Sequence, residues 1–120
     1  MAGFTDLEIY QVAYNLAIKI HMVSLQLPKF ELYEQGSQIR RASKSIKDNI
    51  AEGYGRKRYK MEYIKFLTYS IASCDETLSH LEMINELYPG IQDCKNLINE
   101  YNILGKRINS YIQYVETNWK

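Results

Sequence analysis

Residues 59–88 read YKMEYIKFLTYSIASCDETLSHLEMINELY. Ile64, Leu67, Ile71, Cys74, Leu78 and Leu81 recur alternately three and four residues apart, which places them on one face of a single long helix. Towards the C-terminus, Pro89-Gly90 stops the pattern and it then resumes. Cys94, Leu97, Tyr101, Leu104, Ile108, Tyr111 and Val115 predict a further helix from about Ile91 to Trp119. Towards the N-terminus, Ile39, Ala42, Ile46 and Ile50 mark a helix from about Leu32 to Gly53. Another opens at Thr5-Asp6-Leu7-Glu8, which has the form of a capping box, and runs to about Leu27 before Pro28. No segment alternates apolar and polar residues as a half-buried strand would. Four helices with sustained three-four spacing and short connections predict an all-α fold, an antiparallel up-down four-helix bundle. With 120 residues the chain fits one domain, residues 1–120.

The first helical segment carries two apolar stripes. Leu7, Tyr10, Tyr14, Ala17 and His21 form one, and Ile9, Val12, Leu16, Ile20, Val23 and Leu27 form the other. One broad stripe is enough for an isolated bundle, so the surplus implies either a wide buried arc or a surface for self-association.

Net charge is only +1, but it is unevenly distributed. Residues 36–65 carry 9 basic and 3 acidic side chains, whereas residues 66–100 carry 1 and 6. The basic excess centres on QIRRASKSIKDNIAEGYGRKR, residues 38–58, where an apolar stripe passes through a run of cations. Arg40, Arg41, Lys44, Lys47, Arg56, Lys57, Arg58 and Lys60 are therefore the candidate nucleic-acid-binding residues, with Arg56, Lys57 and Arg58 expected in an exposed connecting loop. Tyr54, Tyr59, Tyr63 and Tyr69 lie on or just after this block. Such rings can stack on unpaired bases or line a subunit interface. The competing reading is a protein-interaction scaffold whose arginines form ion pairs within the bundle or between subunits, with Asp75, Glu76, Glu82 and Glu86 as the opposite charge.

Other chemistries find little purchase. Asn49 and Glu52 read as a polar network at a helix end, closed by Gly53 in a left-handed conformation and by an arginine such as Arg56 or Arg41. His21 and His80 are the only histidines, and Glu76 with His80 falls short of the ligand set of a di-iron bundle. Gly53-Tyr54-Gly55 lacks the lysine-serine ending of a phosphate loop. No catalytic residue, cofactor or metal is expected, and the chain reads as a non-enzyme. Cys74 and Cys94 sit in apolar patterns and read as buried reduced thiols. With neither a signal-peptide pattern nor a membrane-spanning run, the expectation is a soluble cytoplasmic protein.

Four stretches, FTDLEIYQVAYNLA (4–17), LPKFELY (27–33), QIRRASKSIKDNIAEGYGR (38–56) and FLTYSIASCDE (66–76), follow in order the pattern of a bacterial family. The chain resembles the 23S rRNA intervening-sequence, or S23-like, proteins over nearly its whole length. It departs at Ser43, Ala72 and Thr77, where the family commonly has alanine, glycine and leucine. The resemblance implies a four-helix bundle that assembles into a homo-oligomeric ring, commonly a pentamer. The fold group is similar to the accessory variability determinants of diversity-generating retroelements, which bind nucleic acid and a reverse transcriptase. The partners implied are thus further copies of the chain, RNA or DNA, and a reverse transcriptase, with no membrane. Arg40, Arg41 and Arg56 match basic positions of the family pattern; Lys44, Lys47, Lys57, Arg58 and Lys60 are this chain's own.

Overall fold

A computed structural model describes residues 3–120, and among these every regular element is helical. A 3-10 turn (Phe4–Asp6) leads into α1 (Glu8–Ser24). A single turn, α2 (Lys29–Leu32), follows, and then come three long helices: α3 (Gln35–Gly55), α4 (Lys60–Leu87) and α5 (Cys94–Asn118). The four long helices pack as a bundle, and contacts between neighbours climb one helix while they descend the other. Along α4 and α5, Lys60 reaches Glu116, Tyr63 meets Tyr111, and Cys74 meets Tyr101. Between α3 and α4 the pairs are Gln35 with His80, Ser45 with Ser73, and Ile46 with Ser70. At 28 residues α4 spans about 42 Å, and it sets the 48 Å long axis of the molecule.

The cores of α3 and α5 follow their periodicity. Ile39, Ala42, Ile46 and Ile50 are all buried, as are Cys94, Leu97, Tyr101, Leu104, Ile108 and Val115, but Tyr111 of the expected stripe is only partly buried and Ile112 is buried beside it. In α4 the buried line is rotated. It runs through Tyr63, Leu67, Ser70, Cys74, Thr77, Leu81 and Ile84, while Ile64, Ile71 and Leu78 are only partly buried. The rotation turns small hydroxylated residues onto α3. Ser70 Oγ donates to the Ile46 carbonyl at 2.8 Å, Thr77 Oγ1 to its own helix at Ser73 O, and Ser45 and Ser73 share a hydroxyl contact at 2.9 Å. The buried hydroxyls of Ser70 and Thr77 are therefore satisfied, which offsets the cost of dehydrating them, whereas the buried Tyr101 hydroxyl has no hydrogen-bond partner among the described residues. Ser43, the other departure buried here, donates to Arg40 O.

The helix ends correct three expectations. Thr5 does not cap α1: it lies in the 3-10 turn, where Asp6 Oδ2 accepts from Gly3 N, and Glu8 pairs with Arg107 instead of reaching back. The second helix begins at Gln35, because the chain first makes the separate turn α2. Buried Glu31 then receives Gln35 N (3.4 Å) and the Tyr88 phenol (2.8 Å), which pushes that phenol's pKa up. Nor does Gly53 take a left-handed conformation, since no described glycine has positive φ and α3 continues to Gly55. Gly53 is instead a point of close approach, where an added Cβ would lie 3.0 Å from Phe66 Cβ and 3.2 Å from Tyr63 Cδ1.

On α1 the buried line is chiefly the second predicted stripe, Ile9, Leu16, Ile20 and Val23, widened by Ala13, Ala17 and Ser24; of the first stripe only Ala17 is buried, Leu7, Tyr10 and His21 are partly buried and Tyr14 is exposed. Tyr14, Ile18, Met22 and Leu25 remain exposed as a separate line along the helix. Both cysteines are buried and free. Burial pushes the Cys74 thiol up to about 12, with Asp75 adding to the effect, and raises Cys94 in the same way. No described helix is long and apolar enough to cross a membrane.

The two ends of the GYG segment should respond oppositely to a larger side chain. Gly53→Val is expected to cost about 1–3 kcal/mol through overpacking against Phe66 and Tyr63. Gly55→Ala meets open space and should stabilise by about 0.4–1 kcal/mol. Urea unfolding of the two variants measures both.

Candidate nucleic-acid interface

The buried positions of α3 dictate which side chains face outwards. With Ile39, Ala42, Ile46, Ile50 and Gly53 turned inwards, positions 41, 44, 48, 52 and 55 line the opposite face at helical spacing. Arg41 and Lys44 are exposed there, and among the described residues no carboxylate pairs with either. The same face also carries Asp48 and Glu52, so the basic stripe is interrupted. Lys47 at its edge is tied to Asp48 at 2.8 Å and lies 5.9 Å from the Tyr14 ring; the hydrogen bond to Asp48 raises its pKa.

Arg40 belongs to the scaffold. Its Nη1 donates to Ser24 Oγ at 2.9 Å and its Nη2 to the Leu32 carbonyl at 3.0 Å. One guanidinium thus joins the last turn of α1, the end of α2 and the start of α3, and it fits over Gly36, whose absent side chain leaves it room. Asn49, also singled out in the sequence, bonds back to Ser45 O and Oγ within α3.

The α3–α4 corner contains the rest of the basic block. Arg56 is less free than an exposed loop residue would be. Its Nε contacts Glu52 Oε2 at 2.9 Å, its Nη1 reaches Glu62 Oε1 at 3.2 Å, and its plane lies 4.9 Å from the Phe66 ring. These contacts clip the end of α3 to the first turn of α4, and the Glu52 hydrogen bond above all raises the Arg56 pKa. Lys60 Nζ donates to Glu116 O at 2.6 Å, a cation at the C-terminal end of α5 where the helix dipole favours one. Lys57 Nζ sits 3.8 Å from the Tyr54 ring centroid and Arg58 lies against Tyr59; among the described residues neither has a carboxylate partner.

The tyrosines divide. Tyr63 is fully buried, bonded through its hydroxyl to Tyr111 at 2.8 Å, and so cannot meet a base. Tyr59 and Tyr69 are exposed, and Tyr54 is half-buried.

Sequence reasoning missed a cleft beside Tyr54. Trp119 Nε1 donates to Lys57 O at 2.8 Å, bringing the end of α5 against the corner. Tyr54, Lys57, Arg58, Trp119 and Lys120 line the resulting hollow of about 620 Å³. Trp119 is 62 residues from Lys57, and only its being the sole tryptophan could have drawn attention to it.

Other hollows differ in charge. Three lie along the seam between α1 and α5, with Glu8, Glu100 and Asp93 on their respective rims. A fourth, beside Arg41, includes Glu34 and Glu76. His80 is engaged by Gln35 at 2.8 Å and by Glu76 at 3.6 Å, and no described group of three His, Cys, Asp or Glu side chains is placed to hold a metal ion.

The sequence model of a family described as 23S rRNA-intervening sequence protein matches residues 5–110. No curated protein matches the chain.

The two neighbouring arginines should separate in a stability measurement. Arg40→Ala removes two hydrogen bonds from a charged donor and is expected to cost about 1.5–3 kcal/mol. Arg41→Ala should stay within about 0.5 kcal/mol of the parent. Paired chemical-denaturation curves test both.

Proposed function

The chain belongs to the 23S rRNA-intervening sequence protein family, and on that premise we propose that it is an oligomeric, non-enzymatic, antiparallel up-down bundle that binds nucleic acid. The observation that carries the reading is a set of cations left without carboxylate partners among the described residues. Arg41 and Lys44 lie on the outer face of α3, and Arg58 with Lys57 lies at the α3–α4 corner. Lysine and arginine side chains of this kind neutralise phosphates and release condensed counterions, which gives affinity with little dependence on sequence. Arg40 and Arg56 take part as builders of the surface. In a ring of identical copies the patch repeats, and several weak contacts to one long strand add up.

Self-association has its own support in the exposed line Tyr14, Ile18, Met22 and Leu25, continued by Phe30 and Tyr33 at the α2 corner. A pentamer is the assembly the family resemblance favours. The alternative, a scaffold for an acidic protein partner, draws on the exposed Asp75, Glu76, Glu82 and Glu86 of α4, which a neighbouring copy's basic face could engage.

Fluorescence anisotropy with labelled RNA and DNA over a salt series tests the nucleic-acid reading. Replacing Arg41, Lys44 and Arg58 together by Glu should weaken binding and flatten the salt slope by about 0.7–0.9 for each phosphate no longer neutralised. Unchanged binding would refute it. Light scattering should give a mass several times that of the chain, reduced towards the monomer in an Ile18→Glu/Met22→Glu variant that keeps its helical circular dichroism.

A further inference from the structure

The cleft between the α3–α4 corner and the end of α5 differs from the other hollows in one decisive respect. Its lining (Tyr54, Gly55, Lys57, Arg58, Asn118, Trp119 and Lys120) contains cationic and aromatic side chains and no acidic one. Each of the other four has a carboxylate on its rim. A lining free of acidic side chains, beside three basic ones, favours an anion.

The aromatic walls narrow the class of anion. Trp119 is only half-buried, and its orientation is fixed from two sides. Its indole N–H is committed to Lys57 O, and its ring packs against Tyr63 (centroids 5.4 Å apart) and Tyr114 (6.4 Å). Tyr54, half-buried in the same lining, is held edge-on to Tyr63 and lies under Lys57 Nζ. Rings held in place lose little entropy when they meet a flat partner, and cations alongside can reach the charged groups attached to it. A nucleobase linked to phosphates has both parts. In a duplex the base faces are already stacked on one another, so only an unpaired base can enter.

We propose that this cleft receives an unpaired base of a single-stranded nucleic acid, stacked on Trp119 beside the Lys57-capped ring of Tyr54, with the adjoining phosphates on Arg58 and Lys57. The assignment rests on the nucleic-acid reading above and deepens it, because the basic face of α3 alone would not distinguish strand from duplex. Its C-terminal wall, Asn118, Trp119 and Lys120, lies beyond the residues 5–110 that match the family.

Trp119 is the only tryptophan, and its emission reports directly on the cleft. The full-length protein is titrated with oligouridine, oligothymidine and a duplex of the same length, following intrinsic fluorescence and, with labelled strands, anisotropy. Either single strand should quench the emission while the duplex leaves it unchanged. Quenching by one strand type alone identifies RNA or DNA as the source of the base. Trp119→Ala should weaken single-strand binding by about 5–150-fold, the usual worth of one base–aromatic stack, and leave duplex binding as it was. Because Trp119 also packs on Tyr63, Trp119→Phe serves as the folded control and should retain most of the affinity. Binding seen by anisotropy with no change in emission, and with Trp119→Phe and Trp119→Ala both at parental affinity, overturns the cleft and leaves the basic face standing. No binding to any strand at low salt overturns both.

Discussion

The close approach of α3 to α4 governs the rest of the molecule. It is made by small residues meeting across the seam, Gly53 against Phe66 and Tyr63, Ser45 against Ser73, and Ser70, whose hydroxyl is bonded to the Ile46 carbonyl in the interior. Bulky side chains would hold the two axes further apart. Because this contact sets the rotation of α3 about its own axis, it also selects the side chains that reach solvent. Arg41 and Lys44 face outwards because Ile39, Ala42, Ile46 and Ile50 face α4 and α1. Gly53 draws Phe66 near enough for the Arg56 guanidinium to lie on its ring while pairing with Glu52 and Glu62.

The cations of the central block therefore do two kinds of work. Arg40, Lys47, Arg56 and Lys60 are engaged by protein oxygens, whereas Arg41, Lys44, Lys57 and Arg58 have no carboxylate partner among the described residues. The second set falls in two groups. From Arg41 to the corner is some fifteen residues of helix, or about 22 Å, roughly twice the screening length of about 8–10 Å at ordinary salt. The groups consequently act as separate points of attraction, and the neutralising pairs between them (Lys47 with Asp48, Arg56 with Glu52) prevent a continuous positive stripe.

How much of this the sequence disclosed depends on whether a residue's partner lay within its own periodic pattern. The buried lines of α3 and α5 were legible because isoleucine, leucine, cysteine and tyrosine repeat there at helical spacing. The buried line of α4 is turned away from its apolar pattern. Ser70 and Thr77 are polar by composition and become interior only because α3 supplies Ile46 O to one and the helix supplies Ser73 O to the other. Glu31 was invisible as a core residue for the same reason, since its acceptors are filled by Gln35 N and by Tyr88, 57 residues away. Among the candidate cations the type was legible and the availability was not. Nothing in the local pattern distinguishes Arg40, clamped to Ser24 and Leu32, from Arg41 beside it. The wall supplied by Trp119 lay furthest beyond reach, because only the packing of α5 on α4 returns that end of the chain to residue 57.

The seam between α1 and α5 is built differently from the other seams. Open hollows run along it, and the ion pairs across it are Lys19 with Glu100, whose carboxylate is partly buried, and Glu8 with Arg107, which is largely exposed. Exposed pairs of this kind contribute about 0–1 kcal/mol each and weaken as salt rises. Cohesion is therefore shared unequally: the α1–α5 seam relies on surface ion pairs, whereas α1 is held mainly by the buried face it turns to the core, Ile9, Ala13, Leu16, Ala17, Ile20 and Val23.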